Sequence, residues 1–518
     1  MTHFVLHPSM LMTSRSKLSF TVTALLLVGG ARTGTAQDAT RAAAANRPVV
    51  LFDGKSLNGW KPIETPQMAL LPDGSVANQR GKGLLLYAER PFKDFTLELE
   101  YLPETGSAAA GVFLRLPQEP ATLDAAERSA YEVKLGEDKP PAFREPVHYT
   151  RSMYLTGAIN LVGADSVHHR DQMSPRRFVS RGPGAWNTLR VDAVGQRYTV
   201  YVNGEKVNDF FGRKATEGYI GLVNRTPDYS VRFRNVRVTP RTVTNAPSGV
   251  GELVAIHDQR PPIKVLMVTA THGFRHTYGI EGAIELMREL EKTTELRVDT
   301  TENLANLNSA NLAKYDLLFF ANSTLRINPK DTTQAALRAV RLRAPIPNAV
   351  TPEQQRAVID FVRGGKGVVL AHAALDAGYG WDAYRELAGG GLFEAHPWTA
   401  HLRVINEAKT NPATRHMDEK FWIREEFYIL DKSPRATSRV LLSLDNTSFG
   451  SPNMGRLPTP ENSDHPVSWT RTYGQGRVFA TILGHFRDTW QRPEFVQHLL
   501  TGMRMAAGRQ PTESAARR

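Results

Sequence analysis

The chain has 518 residues, room for two or three domains that each bury a core of their own. With 41% hydrophobic and 22% charged residues it is neither disordered nor fibrous, and without cysteine it has no disulfide, thiolate metal site or cysteine nucleophile. The net charge of +12 comes from scattered basic residues with no run that interleaves with aromatics, so it reads as solvated surface and no nucleic-acid partner is expected.

At the N-terminus, Arg15 and Lys17 precede an uncharged stretch from Leu18 to Gly30, followed by small residues ending at Ala36. That order is a secretory signal, and its apolar part is too short to span ~30 Å of hydrocarbon. Residues 1–36 are therefore expected to be removed on export to the periplasm or beyond, with an N-terminal membrane anchor as the alternative. No later segment approaches transmembrane length, so no membrane span is expected after cleavage. The sequence sets no oligomeric state.

From Arg47 to about Pro240 the pattern has period two. Phe95 to Tyr101 alternates apolar with polar, and Gly111 to Leu116 reads as another strand. The clearest hairpin joins Tyr198–Val202 to Glu205–Val207 through Asn203-Gly204, a pair that tolerates the positive φ angles of a primed turn. Tyr219–Val223 and Val231–Val238 add two strands, the second slipping phase at Asn235 as a bulge would. Many short strands without a convincing helix predict a β-sandwich over 47–240.

A linker over 241–261 separates this from a different periodicity over 262–508. Ile263–Thr269, Tyr315–Ala321, Gly367–Ala371 and Arg477–Leu483 are continuous apolar runs, as in strands buried on both faces. Ile280, Ile284, Met287 and Leu290 recur at helical spacing. Thr351-Pro352 with Gln354 forms a capping box that opens a helix ending at Gly364-Gly365, and a final helix starts at Pro493. Strands alternating with helices predict an α/β doubly wound sheet.

In such sheets ligands bind beyond the carboxyl ends of the strands. Those ends carry His272 and His276, then Asn322, then His372, then His485, and the intervening segments add Asp376, Glu394, His396, Glu425, Glu426, Asp464 and His465. Imidazoles and carboxylates move protons near neutral pH and equally hold a divalent cation. Each residue taken singly reads as a cap or a packing residue; their recurrence at strand ends argues for a site. No HxH or HExxH pair is present, so the cofactor stays open between none and a divalent metal ion. Of Glu425 and Glu426, one is expected in the site and the other in solvent. In the sandwich, Arg115, Glu132 and Trp186 are expected to share a concave surface suited to a sugar, with a core Trp186 and a surface Glu132 as the bland reading.

Two family resemblances rest on these residues. Leu51-Phe-Asp-Gly-Lys-Ser-Leu-Asn-Gly-Trp60, Gly111-Val-Phe-Leu-Arg115, Thr156-Gly-Ala-Ile159, Trp186-Asn187, Asn203-Gly204 and Phe233-Arg-Asn-Val236 resemble the 3-keto-disaccharide hydrolase domain family, which implies a concanavalin-like jelly roll. Thr271-His-Gly-Phe-Arg-His276, Leu370-Ala-His-Ala-Ala-Leu-Asp376, Glu394-Ala-His-Pro397, Glu425-Glu-Phe-Tyr428 and His465-Pro-Val-Ser-Trp-Thr-Arg471 through Gly484-His485 resemble the ThuA-like trehalose-utilisation family, which implies a class I glutamine-amidotransferase-like fold. An amidotransferase carries a nucleophilic Cys where this chain has His372, so glutamine hydrolysis is excluded. The sandwich departs from its family with Ala-Ala-Gly111, with Val-Lys-Leu-Gly136 after the Glu, and around Arg225-Thr-Pro-Asp228, which suggests drift towards binding.

The resemblance implies a carbohydrate substrate, a 3-keto-glycoside cleaved by proton abstraction beside the ketone and loss of the aglycone. Candidate catalytic residues are His276, His372, His485 and Glu425; candidate sugar contacts are Arg115, Glu132, Trp186, His272, Asn322, Asp376, His396 and His465. The rival reading is a non-catalytic glycan-binding protein with a ThuA-like scaffold. The discriminating expectation is that His276, His372 and His485 meet in one pocket.

Overall fold

The computed structural model describes residues 47–64, 68–78, 82–105, 110–136, 155–160, 172–225, 231–243, 246, 249–254, 260–325, 350–448 and 464–509; the leader expected over 1–36 lies outside them. Within Phe95–Pro103 every second side chain is buried, so one face of the strand packs inward. The Asn203-Gly204 turn has φ of 50° and 84°, the left-handed pair that a two-residue hairpin requires, and it joins Arg197–Val202 to Glu205–Phe211. Asn235 has φ of 54°, and the register of Val231–Pro240 against Phe95–Pro103 slips between Arg234 and Arg237, a bulge where the phase of the sequence breaks.

These hairpins build two antiparallel sheets. One runs in the order Glu205–Phe211, Arg197–Val202, Asn187–Val194, Phe95–Pro103, Val231–Pro240, Val76–Asn78 and Met68–Leu70, with Val49–Phe52 also paired to Val231–Pro240. The other runs Gln172–Met173, Ile159–Asn160, Tyr131–Leu135, Ala110–Leu116, Gly218–Asn224, Gly83–Phe92 and Trp60–Glu64. Leu97, Leu99 and Val191 of the first pack with Val112, Leu114 and Ile220 of the second to form the sandwich core. One helix went unforeseen, Leu123–Ser129, capped by the Thr122 side chain accepting from the Ala125 N–H. Seven residues are too few for helical periodicity to show. The segment expected as a plain linker contains the helix Val250–Val254, fastened by the Gly251 N–H donating to Glu289 Oε1 at 2.6 Å.

The second domain is a nine-stranded sheet in the order Leu296–Thr301, Ile263–Val268, Leu317–Ala321, Gly367–Ala371, Gly476–Thr481, Pro466–Tyr473, Arg439–Leu444, Phe393–Asn406 and Lys420–Leu430. The first five strands are parallel and the rest antiparallel, so the doubly wound expectation holds for half of the sheet only. Lys420–Leu430 carries a nearly unbroken buried run, which in sequence does not reveal strand direction. The capping box forms as the spacing requires: Thr351 accepts from the Gln354 N–H and Gln354 accepts from the Thr351 N–H. Among the described residues no helix is long and apolar enough to cross a membrane.

The sandwich residues 174–178 lie against the α/β domain. Arg492 Nη2 donates to Ser174 O and Oγ at 3.1 and 3.0 Å, Trp422 N–H donates to Arg176 O at 2.9 Å, and His401 Nε2 donates to Pro175 O at 3.0 Å. Burial pushes the His401 imidazole down to about 3, with Arg492 adding to it. A ring neutral in the folded chain but ordinary near 6.5 when unfolded contributes stability that is complete above pH 6.5 and lost as pH falls towards 3. At pH 5 the cost is about 2 kcal/mol. His401→Gln, which keeps a donor for Pro175, is expected to lose less stability than wild type between pH 7 and pH 5 in urea unfolding, whereas equal losses would remove His401 as the cause.

Candidate active site

The carboxyl ends of the parallel strands make sharp turns. Asn322 and His372 directly follow Leu317–Ala321 and Gly367–Ala371 and have φ of 51° and 52°, and Gly484, after Gly476–Thr481, has φ of 118°. Left-handed backbone at a non-glycine residue costs on the order of 1 kcal/mol and concentrates at functional sites. At His372 it sends a fully buried imidazole towards two other strand ends.

There His276, His372 and His485 meet Glu426. One ligating atom from each lies within 4.8 Å of all the others. Glu426 Oε2 is 3.4 Å from His276 Nε2, 3.2 Å from His372 Nε2 and 3.1 Å from His485 Nδ1, and the latter two nitrogens are 3.2 Å apart. His372 Nδ1–H donates to Ile482 O at 2.7 Å, which leaves Nε2 as the nitrogen with a lone pair aimed at the centre. The Tyr428 hydroxyl is 3.1 Å from that Nε2.

This donor set fits a divalent transition metal. Three imidazoles and a carboxylate suit such a cation, and ligands ~2.0–2.1 Å from one ion sit about 3.3 Å from one another, close to the four separations given above. Burial pushes the His372 imidazole down to about 3, opposed by Glu426 and reinforced by His276 and His485, so the ring is neutral as a ligand must be. Burial works to raise Glu426, but His485 and the hydrogen bonds from the three imidazoles hold it well below the usual carboxylate range. Burial, then the charge of Glu426, lifts the Tyr428 phenol far above its ordinary value, so it remains a proton donor.

Glu425, the carboxylate the sequence reading placed in catalysis, stands behind the centre. It is fully buried, accepts from the Gly484 and His485 N–H groups at 3.0 and 3.1 Å, and also accepts a hydrogen bond from the Thr489 hydroxyl. Burial pushes it up to about 8, against those hydrogen bonds. Consecutive strand residues face opposite sides, and here the second side is protein, not solvent. Glu426 and Tyr428 share one parity and both reach His372; that alternation was the available signal for Tyr428.

The other candidates spread out. His396 joins the rim, Nδ1 3.4 Å from Glu426 Oε1 with the side chain 52% exposed. Asn322 is buried and donates to Gly484 O at 3.1 Å, holding the turn before His485. Asp376, half-buried, accepts from the Tyr379 hydroxyl at 2.7 Å. His272 is tied through its backbone N–H to Thr324 and is not part of the four-residue group, nor is the buried His465, whose carbonyl accepts from the Leu444 N–H.

The sandwich trio does not share a surface. Arg115 sits in a bulge at φ of 57° that turns its side chain inward, where it donates to Lys93 O at 2.8 Å and to the Tyr198 hydroxyl at 3.0 Å. Glu132 is buried and paired with Lys134 at 2.8 Å and with Arg225. Trp186 precedes a strand of the other sheet and lies under the Arg234 guanidinium, 3.9 Å from the ring centre. Period two shows which residues share a face of one strand, not which sheet that strand joins.

An antiparallel sandwich is joined to a mixed α/β sheet, with imidazoles and a carboxylate assembled at the strand ends as a candidate site. Residues 47–239 match the family model of the 3-keto-alpha-glucoside-1,2-lyase-like domain, and residues 264–506 match ThuA, trehalose utilisation. The chain thus resembles two families whose descriptions concern carbohydrates, one over each half. Among solved structures, a candidate thua-like protein of Bacteroides uniformis is 21% identical, over 49% of this chain and 94% of that one, with a TM-score of 0.39. A candidate glycosyl hydrolase of Parabacteroides distasonis is 17% identical over 39% and 97%, TM-score 0.31, and a carbohydrate binding module of Bacillus subtilis 17% identical over 34% and 93%, TM-score 0.24. No curated protein matches the chain.

Proposed function

We propose that the protein is an exported enzyme that cleaves 3-keto-glycosides, with its chemistry in the α/β domain. The observation that carries this is the convergence of His276, His372, His485 and Glu426 on one point. A ketone at carbon 3 acidifies the proton on carbon 2. Removal of that proton and departure of the aglycone oxygen from carbon 1 leave a carbon 1–carbon 2 double bond; addition of water, hydroxyl to carbon 1 and proton to carbon 2, gives the free 3-keto-sugar. A divalent cation held by the four residues would supply Lewis-acid stabilisation of the enolate oxygen. His396, on the rim against Glu426, is the side chain placed to exchange protons with a bound sugar. Ile482 O fixes the orientation of His372 by accepting from its Nδ1–H.

A second reading applies to the sandwich alone. Glu132 is buried and neutralised by Lys134 and Arg225, which argues against its acting as an acid or base, so a non-catalytic sandwich is the second reading. The test is release of 3-keto-glucose from 3-keto-trehalose and a 3-keto-β-glucoside by the purified protein, alongside metal analysis. About one equivalent of transition metal per chain is expected, with turnover abolished by a chelator and restored by the metal. Turnover that survives complete metal removal would move the reaction out of this centre, and glycan binding without turnover would leave a binding protein.

A further inference from the structure

Four large apolar side chains are exposed among the described residues, and two of them, Phe274 at 56% and Tyr278 at 36%, flank His276 in sequence. Gly273, at φ of 140°, allows the turn that brings Phe274 outward, and Arg275 anchors the same loop through Glu302 at 2.5 Å. The Phe274 ring stands edge-on to the His276 imidazole, centroids 4.9 Å apart, and His276 in turn stands edge-on to His372 at 4.7 Å. Phe274 is therefore the outer member of a row of rings that leads into the candidate centre. Its exposure forgoes the burial that normally keeps phenylalanine inside.

A pyranose offers the complementary surface: a face of axial C–H bonds that packs on an aromatic ring while the hydroxyls stay free for polar partners. Such a partner, His396, also borders the centre, against Glu426. We infer that Phe274 is the platform on which the sugar ring of the substrate stacks, next to the histidine–carboxylate centre. This rests on the proposed reaction for the identity of the sugar, and on the geometry alone for its place.

The test compares Phe274→Ala, Phe274→Leu and Phe274→Trp. The Ala and Leu variants are expected to raise KM for the 3-keto-glucoside about tenfold, with kcat within about threefold and metal content unchanged, because the lost contact holds the ring without touching the reacting bonds. The Trp variant is expected to keep KM near wild type. Its emission, taken as a difference from wild type, should change saturably on addition of methyl α-glucoside or trehalose, which carry no ketone. An unchanged KM in the Ala and Leu variants, or a loss confined to kcat or metal content, would overturn the platform. If wild type releases no 3-keto-glucose the reaction itself is refuted, and the emission titration then decides: a saturable change supports the platform and a flat response overturns it.

Discussion

Replacing His372 with asparagine is expected to lower release of 3-keto-glucose at least about a thousandfold and to empty the centre of metal. Asparagine tolerates the left-handed backbone found at φ of 52°, so the turn survives while the imidazole is lost. Three groups depend on His372 Nε2: Glu426 and His485, each at 3.2 Å, and the Tyr428 hydroxyl at 3.1 Å. Without it the remaining ligands cannot close around a cation, and Ile482 O loses its donor. His372→Ala should behave alike in turnover but unfold more readily, since alanine at positive φ adds about 1 kcal/mol of strain. Metal content, turnover and urea unfolding of both variants make the check. Undiminished turnover by a folded, metal-free Asn variant would sink the assignment.

The largest effect on stability is expected at Arg115. Its guanidinium is buried and satisfies Lys93 O, Gly195 O and the Tyr198 hydroxyl while pairing with Asp94 at 3.2 Å. Arg115→Ala leaves those acceptors without their donor and Asp94 without its cation, a loss of about 3–5 kcal/mol. Arg115→Lys keeps the charge but not the planar fork, so an intermediate loss is expected. Glycan affinity, measured by calorimetry where the variants remain folded, should not change. Lost glycan binding at undiminished stability would instead place the guanidinium on the ligand.

Much of the framework was legible. The Asn203-Gly204 turn, the Asn235 bulge, the Thr351 capping box and the four apolar parallel strands each have a local cause, and each appears where that cause sits. The convergence of His276, His372 and His485 was legible because parallel strands place their carboxyl ends along one edge. Three things depended on partners distant in sequence. The choice of Glu426 over Glu425 turns on which face of Lys420–Leu430 meets the strand ends, and alternation alone does not say. Arg115 turns inward because a bulge falls on it, and a period-two count assumes none. The antiparallel half of the sheet looks like buried strand in sequence whichever way it runs.

The spacing of the centre along the chain has a consequence for biogenesis. His276 and Glu426 are 150 residues apart and His372 and His485 are 113 apart, so no local fragment holds the set. A nascent chain lacks the pocket until the antiparallel strands have docked on the parallel ones, and loop-closure entropy delays that step. Binding of a metal at this centre would therefore come late in maturation. A cation bound at this centre would stabilise only finished molecules by mass action and leave misassembled ones apo.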